Sequence, residues 1–196
     1  MIRRDYSVIA SWVKPGARVL DLGCGDGELM KLLMAERKAN GYGIELDDAS
    51  ILACVKNGVN VIQRNIEEGL REFDDQSFDC VILSQTLQAM RRTELVLAEM
   101  LRVGREAIIT FPNFGHWKVR AQLLKGRMPV SEDLPYQWYD TPNVHLFTID
   151  DFDRFCADRD YKVVNRLVLA GDKPVVAFAN LRGSLAVYRL TRWTTR

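Results

Sequence analysis

Several residue patterns that mark particular classes of protein are scarce or missing in this chain. Its four cysteines, at positions 24, 54, 80 and 156, include no C-x-x-C pair. This spacing disfavours a disulfide framework and a zinc site, and it suits a reducing cytoplasm. No run approaches the roughly 18 apolar residues of a membrane helix, and the N-terminal segment lacks the apolar core of a signal peptide. A net charge of +1 argues against a nucleic-acid surface. We therefore expect neither nucleic-acid nor membrane partners.

The overall composition is typical of a folded domain. The chain has 196 residues, of which 47% are hydrophobic and 27% are charged, values typical of globular proteins. This length favours one domain with one sizeable core. We predict that the domain covers residues 1–180 and that a basic, solvated or frayed tail follows over 181–196, where no acidic residue occurs.

The most informative motif is VLDLGCGDGEL, at residues 19–29. An apolar run over 18–22 predicts a buried parallel strand, and the residues after position 27 predict a helix to Lys38. Between them, Gly23, Gly25 and Gly27 permit a sharp turn and a close backbone approach by a ligand. A strand, a glycine loop and a helix in this order build the nucleotide site of open α/β sheets.

Two acids around this loop indicate which nucleotide the loop binds. Asp21 precedes the first glycine by two residues, where a carboxylate would repel the pyrophosphate of a dinucleotide. S-adenosylmethionine has no phosphate, and its ammonium and sulfonium groups suit an acidic loop. Glu45 ends the next apolar run, 22 residues after Gly23, a spacing typical of carboxylates that accept hydrogen bonds from ribose. The pattern therefore favours a loop that binds S-adenosylmethionine or S-adenosylhomocysteine over a glycine turn that serves only the structure of some other α/β fold.

The rest of the chain alternates between strands and helices, which predicts a mostly parallel sheet with an antiparallel edge. Predicted strands lie at 18–22, 41–45, 59–63, 78–83, 107–111, 161–170 and 175–179. Asp48, Thr93 and Thr148 are predicted to cap helices. An amphipathic helix is predicted from the apolar spacing of Ile2, Tyr6, Ile9 and Val13.

One long segment, residues 113–147, has no clear period. It holds both histidines of the chain, His116 and His145, and two of its four tryptophans, Trp117 and Trp138. It follows a predicted strand at the edge of the sheet where ligands bind, and connections of this length are usually functional. We interpret it as an insertion whose aromatic residues form either a local core or a protein interface.

With these motifs placed, the chain closely resembles the MetW family of methionine-biosynthesis proteins over about residues 3–170. The strings that carry the resemblance are VLDLGCGDGEL, SQTLQAM at 84–90, FPNFGHWKVR at 111–120, GRMPVSEDLPYQWYDTPNVH at 126–145 and TIDDF at 148–152. The resemblance implies a Rossmann-like class I S-adenosylmethionine-dependent methyltransferase fold. It also implies a role beside homoserine O-acyltransferase, the enzyme that activates homoserine for sulfur entry, in a hetero-oligomer.

The implied cofactor site extends over several strand ends. It comprises Asp21, Gly23, Cys24, Gly25, Glu45, Leu46, Asn65, Ile66 and Ser84, with Gln85 facing the same cleft. Leu46 is expected to pack on the adenine, and the amide of Ile66 to donate to it. Asn65 stands where the family usually has an aspartate, so adenine recognition is expected to be weaker. Asn65 as a plain turn residue, and Ser84 and Gln85 as ordinary polar strand-end residues, are the alternatives.

Groups that would hold a methyl acceptor are few. The fourth predicted strand ends in LSQT rather than Asn/Asp-Pro-Pro-aromatic, and neither a Pro-Cys pair nor a magnesium-like acid cluster is present. His116 is the one candidate for a general base, with Tyr136 or Tyr139 assisting, although His116 is better explained as a residue that fixes the insertion or a partner surface. Three hypotheses remain open: a partner of homoserine O-acyltransferase, a small-molecule methyltransferase, and a scaffold with a vestigial site.

Overall fold

The computed structural model describes residues 3–192. Its central element is an eight-stranded sheet with helices on both faces, and the sheet is mostly parallel with an antiparallel edge, as the sequence predicts. The strands are β1 (Arg18–Leu22), β2 (Asn40–Glu45), β3 (Val61–Gln63), β4 (Phe78–Ser84), β5 (Gly104–Pro112), β6 (Tyr161–Ala170), β7 (Lys173–Pro174) and β8 (Leu185–Arg192). The helices are α1 (Arg4–Trp12), α2 (Glu28–Arg37), α3 (Asp48–Lys56), α4 (Thr93–Val103), α5 (Trp117–Leu124), α6 (Ile149–Asp158) and α7 (Ala179–Arg182). None of the helices within residues 3–192 has the length and apolar character needed to cross a membrane.

The sheet topology determines where a ligand can bind. The strand order is β3-β2-β1-β4-β5-β8-β6-β7; β1 to β5 are parallel, and β8 runs antiparallel to both β5 and β6. The order reverses between β1 and β4, which leaves a crevice at the carboxyl ends of these two strands. Leu22 is paired with Leu83 at this point, so the loops after both strands open into the same crevice.

Alternate residues of the central strands supply two apolar layers. Val19 and Ile82 pack with residues of α1, α2 and α3 on one face of the sheet. Leu20 and Val81 pack with residues of α4 and α6 on the other face. Because both faces of the central strands are covered, β1 and β4 are held rigidly and the loops that follow them have a fixed base.

The basic segment at the C-terminal end is part of the sheet, so the prediction of a solvated or frayed tail over 181–196 is wrong for the residues that the structure describes. β8 lies between β5 and β6, and the side chains of Val187 and Tyr188 are fully buried. Arg189 lies 3.7 Å from the carboxylate of Glu106 on β5, so at least one of the basic residues is an ion-pair partner within the sheet. Residues 193–196 lie outside the described residues.

Other local predictions also need correction. The edge strand predicted over 175–179 is instead the two-residue β7, because the chain turns away after Pro174 and forms α7. Asp47 rather than Asp48 caps α3, its side chain accepting from the amide of Ser50. Thr93 is the first residue of α4 and does not cap it.

Two further local predictions concern a cap and the insertion. The cap at Thr148 is confirmed, with Asp151 completing a capping box. The insertion contains α5, which the sequence did not predict. Of the predicted first helix, Ile2 lies outside the described residues, while Tyr6, Ile9 and Val13 are buried as their spacing predicts.

Candidate functional site

The glycine loop connects β1 to α2 at the crevice. Gly23, Gly25 and Gly27 all have positive φ, at 65°, 55° and 79°, a backbone conformation that side chains with a Cβ rarely adopt. The amide of Gly23 donates to the carbonyl of Ile44 at 2.8 Å, which fixes the loop to β2. A Cβ on Gly27 would lie 3.0 Å from the Sγ of Cys54, so close packing of the loop on α3 also requires glycine there.

Glu45 lies at the end of β2 and holds this loop from the other side. Its Oε2 accepts from the amide of Gly25 at 2.8 Å, and its Oε1 accepts from the amides of Leu46 and Asp47 at 2.7 and 3.1 Å. The carboxylate is half-buried, and the side chain of Leu46 beside it is 59% exposed. The structure thus brings an acid and an exposed apolar side chain to the loop, the pair that the sequence predicts for ribose and adenine.

Asp21 is the most unusual group of the site. It is 2% exposed, and its Oδ2 is buried without a hydrogen-bond partner among the described residues. Burial raises the pKa of this carboxyl to about 7, opposed by the positive charge of Arg3 and assisted by the carboxylates of Asp5 and Glu45. A buried acceptor without a partner is costly, and a cationic ligand would supply the missing partner.

A cavity of about 230 Å³ opens in front of this carboxyl. Its walls include five of the predicted site residues together with residues of α1 and the start of α2. The lining residues are Arg3, Tyr6, Asp21, Gly23, Cys24, Gly25, Asp26, Glu28, Leu29 and Ser84. The predicted ribose and adenine residues Glu45, Leu46, Asn65 and Ile66 are not part of this lining, so the cavity corresponds to the methionine end of the predicted site.

Asn65 and Ile66 lie beyond β3, at a short 3₁₀ turn over Ile66–Glu68. The Oδ1 of Asn65 accepts from the amide of Glu67 at 3.0 Å, which is the local turn-capping role that the sequence left as the alternative. An amide oxygen has two lone pairs, so an adenine amine would share this oxygen with the Glu67 amide. The adenine role of Asn65 stays a prediction.

Cys24 and Ser84 complete the predicted set. The Sγ of Cys24 lies 3.6 Å from the Sγ of Cys54 beneath the loop, and burial raises the pKa of the Cys24 thiol, so this thiol is neutral. The Oγ of Ser84 donates to Asp5 and accepts from Arg3, both at 2.7 Å. Gln85 follows with a positive φ of 49°.

The residues that sequence reasoning missed lie on α1 and just before it. Asp5 is fully buried, and its carboxylate accepts from Arg3, Ser84 and Thr110. These bonds connect α1 to the ends of β4 and β5. Asp5 lies one helical turn before the buried Ile9, and an acid on the apolar face of an amphipathic helix is a signal that could have identified it.

The candidate base in the insertion is separate from the cavity. His116 is 8% exposed at the start of α5, and burial, together with the nearby charge of Lys118, lowers its pKa despite Asp133. Neither His116 nor Tyr136 or Tyr139 is among the lining residues. None of these three side chains therefore lines the cavity beside Asp21. A catalytic role for His116 stays a prediction.

The insertion exposes most of its large apolar side chains instead of burying them. Among them, Trp117 is 52% exposed and Trp138 and Tyr139 are each 71% exposed. The members of this insertion surface are Trp117, Leu123, Leu124, Met128, Tyr136, Trp138, Tyr139, Val144 and Leu146. Of the two interpretations of its aromatic residues, an interface fits this exposure better than a local core.

Residues 3–192 contain no cluster of three or more His, Cys, Asp or Glu side chains arranged to hold a metal ion.

Comparison with solved structures establishes the fold alone. A S-adenosylmethionine-dependent methyltransferase from Mesorhizobium loti superposes with a TM-score of 0.73 at 13% identity, over 97% of this chain and 98% of that one. The Rossmann-like arrangement of β1 to β5 is therefore that of these methyltransferases.

Sequence relatives are more specific. The bifunctional methionine biosynthesis protein MetXA/MetW of Rhodopirellula baltica is 38% identical over 157 residues, which cover 75% of this chain and 25% of that protein. A ubiquinone biosynthesis O-methyltransferase of Hahella chejuensis is 36% identical over 96 residues, 46% of this chain and 40% of its own length. The chain thus spans less than half the length of both relatives.

The family model described as "Methionine biosynthesis protein MetW" matches residues 3–190, which include the glycine loop, the insertion and most of β8. The chain therefore belongs to the MetW family of methionine biosynthesis proteins.

Proposed function

We propose that this protein binds S-adenosylmethionine or S-adenosylhomocysteine and supports homoserine O-acyltransferase as a partner subunit in methionine biosynthesis. The cofactor is supported by the donor and acceptor groups of the site. The unpartnered Oδ2 of Asp21 suits the ligand's ammonium, the glycine loop admits a close backbone contact, and Glu45 and Leu46 lie where ribose and adenine would follow.

The observation that supports the partnership is the bifunctional relative, in which two functions are joined in one chain. Its name combines MetXA and MetW in one chain, and this chain corresponds to a quarter of its length. A domain that is joined to a second function in one protein is a good candidate for association with that function as a separate chain. The family resemblance supports homoserine O-acyltransferase as the proposed partner.

The insertion surface offers a place for such a partner. Aromatic residues and methionine are enriched in the cores of protein interfaces, and tryptophan and tyrosine are frequent among residues that carry binding energy. Trp138 and Tyr139 are in edge-to-face contact with ring centroids 5.6 Å apart, and both are largely exposed. We assign the acyltransferase contact to this surface.

The deciding experiment measures homoserine acylation by the cognate acyltransferase, alone and with this protein at equal stoichiometry, together with complex formation by analytical ultracentrifugation. We expect a complex and a large increase in rate. Substitution of both Trp138 and Tyr139 by serine should weaken the complex by about 30-fold or more, as for strong interface residues, without changing S-adenosylmethionine binding. Val176→Ser is the matched control, since Val176 is 95% exposed outside the insertion. Absence of a complex together with an unchanged acylation rate would refute the partnership.

Regulation would follow if S-adenosylmethionine, the product downstream of this pathway, binds one state of the complex more tightly than another. Saturating S-adenosylmethionine would then change the acylation rate or the stability of the complex. Equal rates and equal dissociation constants with and without it would exclude this regulation.

A methyltransferase acting on an unidentified small molecule is the second candidate function. It is favoured by the intact glycine loop and by Glu45, which holds that loop from the end of β2. S-adenosylmethionine supplies an electrophilic methyl group when it is bound, and Asp21 and Glu45 would orient it. Time-dependent formation of S-adenosylhomocysteine with a defined acceptor would establish this function, whereas absence of any cofactor binding would indicate the vestigial scaffold.

A further inference from the structure

The helix α5 of the insertion exposes an apolar ridge along one side. Trp117, Ala121 and Leu124 are spaced four and three residues apart, so their side chains lie on one face of the helix. The side chain of Leu124 is 90% exposed, and that of Trp117 is more than half exposed. Val119, on the opposite face, is the buried residue of α5. The helix therefore packs on the domain through one face and presents the α5 ridge to solvent on the other.

Positive charges border the α5 ridge on both sides. At the helical repeat of 3.6 residues, Lys118 and Lys125 lie along one side of the ridge and Arg120 lies along the other, and all three are exposed. Arg127 follows just after the helix and is exposed as well. Residues 114–131 contain these four Lys and Arg side chains and no acid. The surface around the ridge is therefore both apolar and basic.

Contacts within the structure place two of these cations close to the ridge. The Nζ of Lys118 lies 5.8 Å from the centroid of the Trp117 ring. The Nε of Arg120 donates to the carbonyl of Gly115 at 2.6 Å, which holds the guanidinium beside the start of the helix. Since lysine has three N–H donors and arginine has five, most of the donors of both side chains remain available to an anionic group.

The four cations have no counter-charge within the part of the chain that the structure describes. None of them forms an ion pair there. Eight arginines elsewhere in the fold do form ion pairs; they are Arg3, Arg4, Arg64, Arg102, Arg105, Arg159, Arg166 and Arg189. The next acids along the chain, Glu132 and Asp133, both lie beside Arg4 of α1. The charge around the α5 ridge is therefore left for another molecule to balance.

We infer that the α5 ridge docks into an apolar groove of the acyltransferase subunit and that acidic side chains line the rims of this groove. Trp117 and Leu124 have the i and i+7 spacing of residues that anchor a helix in a groove. Carboxylates on one rim would pair with Lys118 and Lys125, and those on the other rim with Arg120. Complementary charges of this kind accelerate association and exclude wrong partners. The inference rests on the proposed partnership and adds the chemistry of the surface that the partner presents.

The position and the size of the α5 ridge favour a protein partner over a lipid surface. Met128, four residues after Leu124, lines a small hollow together with Tyr136 and Trp138, so the ridge adjoins the aromatic residues already assigned to the acyltransferase contact. Helices that bind membranes lay an extended apolar face into the lipid, whereas this ridge has two large apolar side chains, those of Trp117 and Leu124.

Surface plasmon resonance on the immobilised cognate acyltransferase tests the charges. We expect the association rate of the wild-type protein to fall at least about 10-fold between about 0.05 and 0.5 M NaCl, because salt screens the attraction. The double variant Lys118→Glu/Lys125→Glu should associate at least about 10-fold more slowly in low salt and should lose this dependence on salt. Lys14→Glu/Lys56→Glu makes the same change of net charge at two exposed lysines outside the insertion, and it should behave like the wild type.

The variant Leu124→Ser tests the apolar part of the α5 ridge. We expect its complex to dissociate faster and its dissociation constant to rise about 10-fold or more, as for an interface residue of high energy. Leu52→Ser is the matched control, since Leu52 is an exposed leucine on α3. All of the substituted side chains are exposed, so the circular dichroism spectra of the variants should match that of the wild type.

The outcomes separate this inference from the proposed partnership. If the complex forms but its rates are independent of salt and unchanged in both α5 variants, docking through α5 is wrong and the partnership stands. If the wild-type protein forms no complex, the partnership itself is wrong. If the wild-type protein sediments with vesicles of phosphatidylethanolamine and phosphatidylglycerol, and the α5 variants lose this binding but keep their affinity for the acyltransferase, the ridge binds lipid and the inference is overturned.

Discussion

Replacing Asp21 by asparagine is expected to stabilise the ligand-free protein. The change keeps the shape of a fully buried side chain and removes a charge that has no hydrogen-bond partner at Oδ2 among the described residues. Raising the pKa of a carboxyl from its usual 3.8 to about 7 corresponds to about 4 kcal/mol in the free energy of unfolding, at about 1.4 kcal/mol for each pH unit. Asparagine does not ionise, so the variant avoids this cost.

The dependence on pH has a definite sign. Between pH 3.8 and about 7, folded Asp21 holds a proton that the unfolded chain has released, so the contribution of Asp21 to the free energy of unfolding falls as the pH rises. Above pH 7 the loss is complete and constant. The advantage of Asp21→Asn should therefore grow from pH 5 to pH 7 and then level off. At pH 8 it would raise the melting temperature by roughly 8–16 °C for a domain of this size.

Urea denaturation of the ligand-free proteins at pH 5 to 8.5 measures this difference. Asp158→Asn is the matched control, since Asp158 is an exposed carboxyl on α6 whose removal is expected to change stability little throughout this range. A difference between wild type and Asp21→Asn that does not vary with pH, or a variant that is less stable at pH 8, would refute the reasoning. Added S-adenosylmethionine should raise the melting temperature of the wild type but not of Asp21→Asn, because binding to the native state stabilises it by mass action.

Three further changes test the loop and the sheet. Glu45→Gln should weaken S-adenosylmethionine binding by at least about 10-fold in calorimetry, because charged acceptors contribute about 1.5–3 kcal/mol; unchanged affinity would remove Glu45 from the site. Gly27→Ala should lower the free energy of unfolding by about 1–3 kcal/mol in urea, since φ is 79° and a Cβ would lie 3.0 Å from the Cys54 Sγ; wild-type stability would contradict the loop geometry. Deleting residues 185–196 should abolish cooperative unfolding in circular dichroism, because β8 is an interior strand of the sheet; a folded truncated protein would contradict that placement.

The part of the fold that the sequence predicts well is built from local patterns. An apolar run, three glycines and a helical pattern within residues 18–37 are sufficient for β1, the loop and α2, since each depends on neighbours in the chain. The position of Glu45 could be predicted from a general rule of the fold, because parallel strands bring their carboxyl ends to one edge of the sheet. The observed cap of α3, Asp47, lies one residue before the predicted cap, Asp48. Propensity alone does not distinguish two neighbouring aspartates.

What the sequence did not predict depends on distant contacts. The arginines of β8 favour a solvated tail, whereas its apolar run over 185–188 is the signal of a strand buried on both faces. Its place is determined by pairing with β5, where Ala186 is paired with Phe111 across more than 70 residues of chain. Arg3 and Asp5 are held at the cavity by hydrogen bonds to Ser84 and Thr110, which lie about 80 or more residues further along the chain, and no local pattern reveals such contacts.

The free energy lost at Asp21 bears on the vestigial alternative. A protein without a ligand at this site would gain up to about 4 kcal/mol from a single conservative change of Asp21 to asparagine, a large part of the 5–15 kcal/mol of a typical domain. Strongly perturbed titratable groups cluster at functional sites, where activity often requires a locally destabilised arrangement. The cavity places that group beside Arg3, an arginine held by the buried Asp5, so the pair has the arrangement of a ligand site. This combination of a costly buried charge and a fixed counter-charge favours a working binding site over a vestigial one.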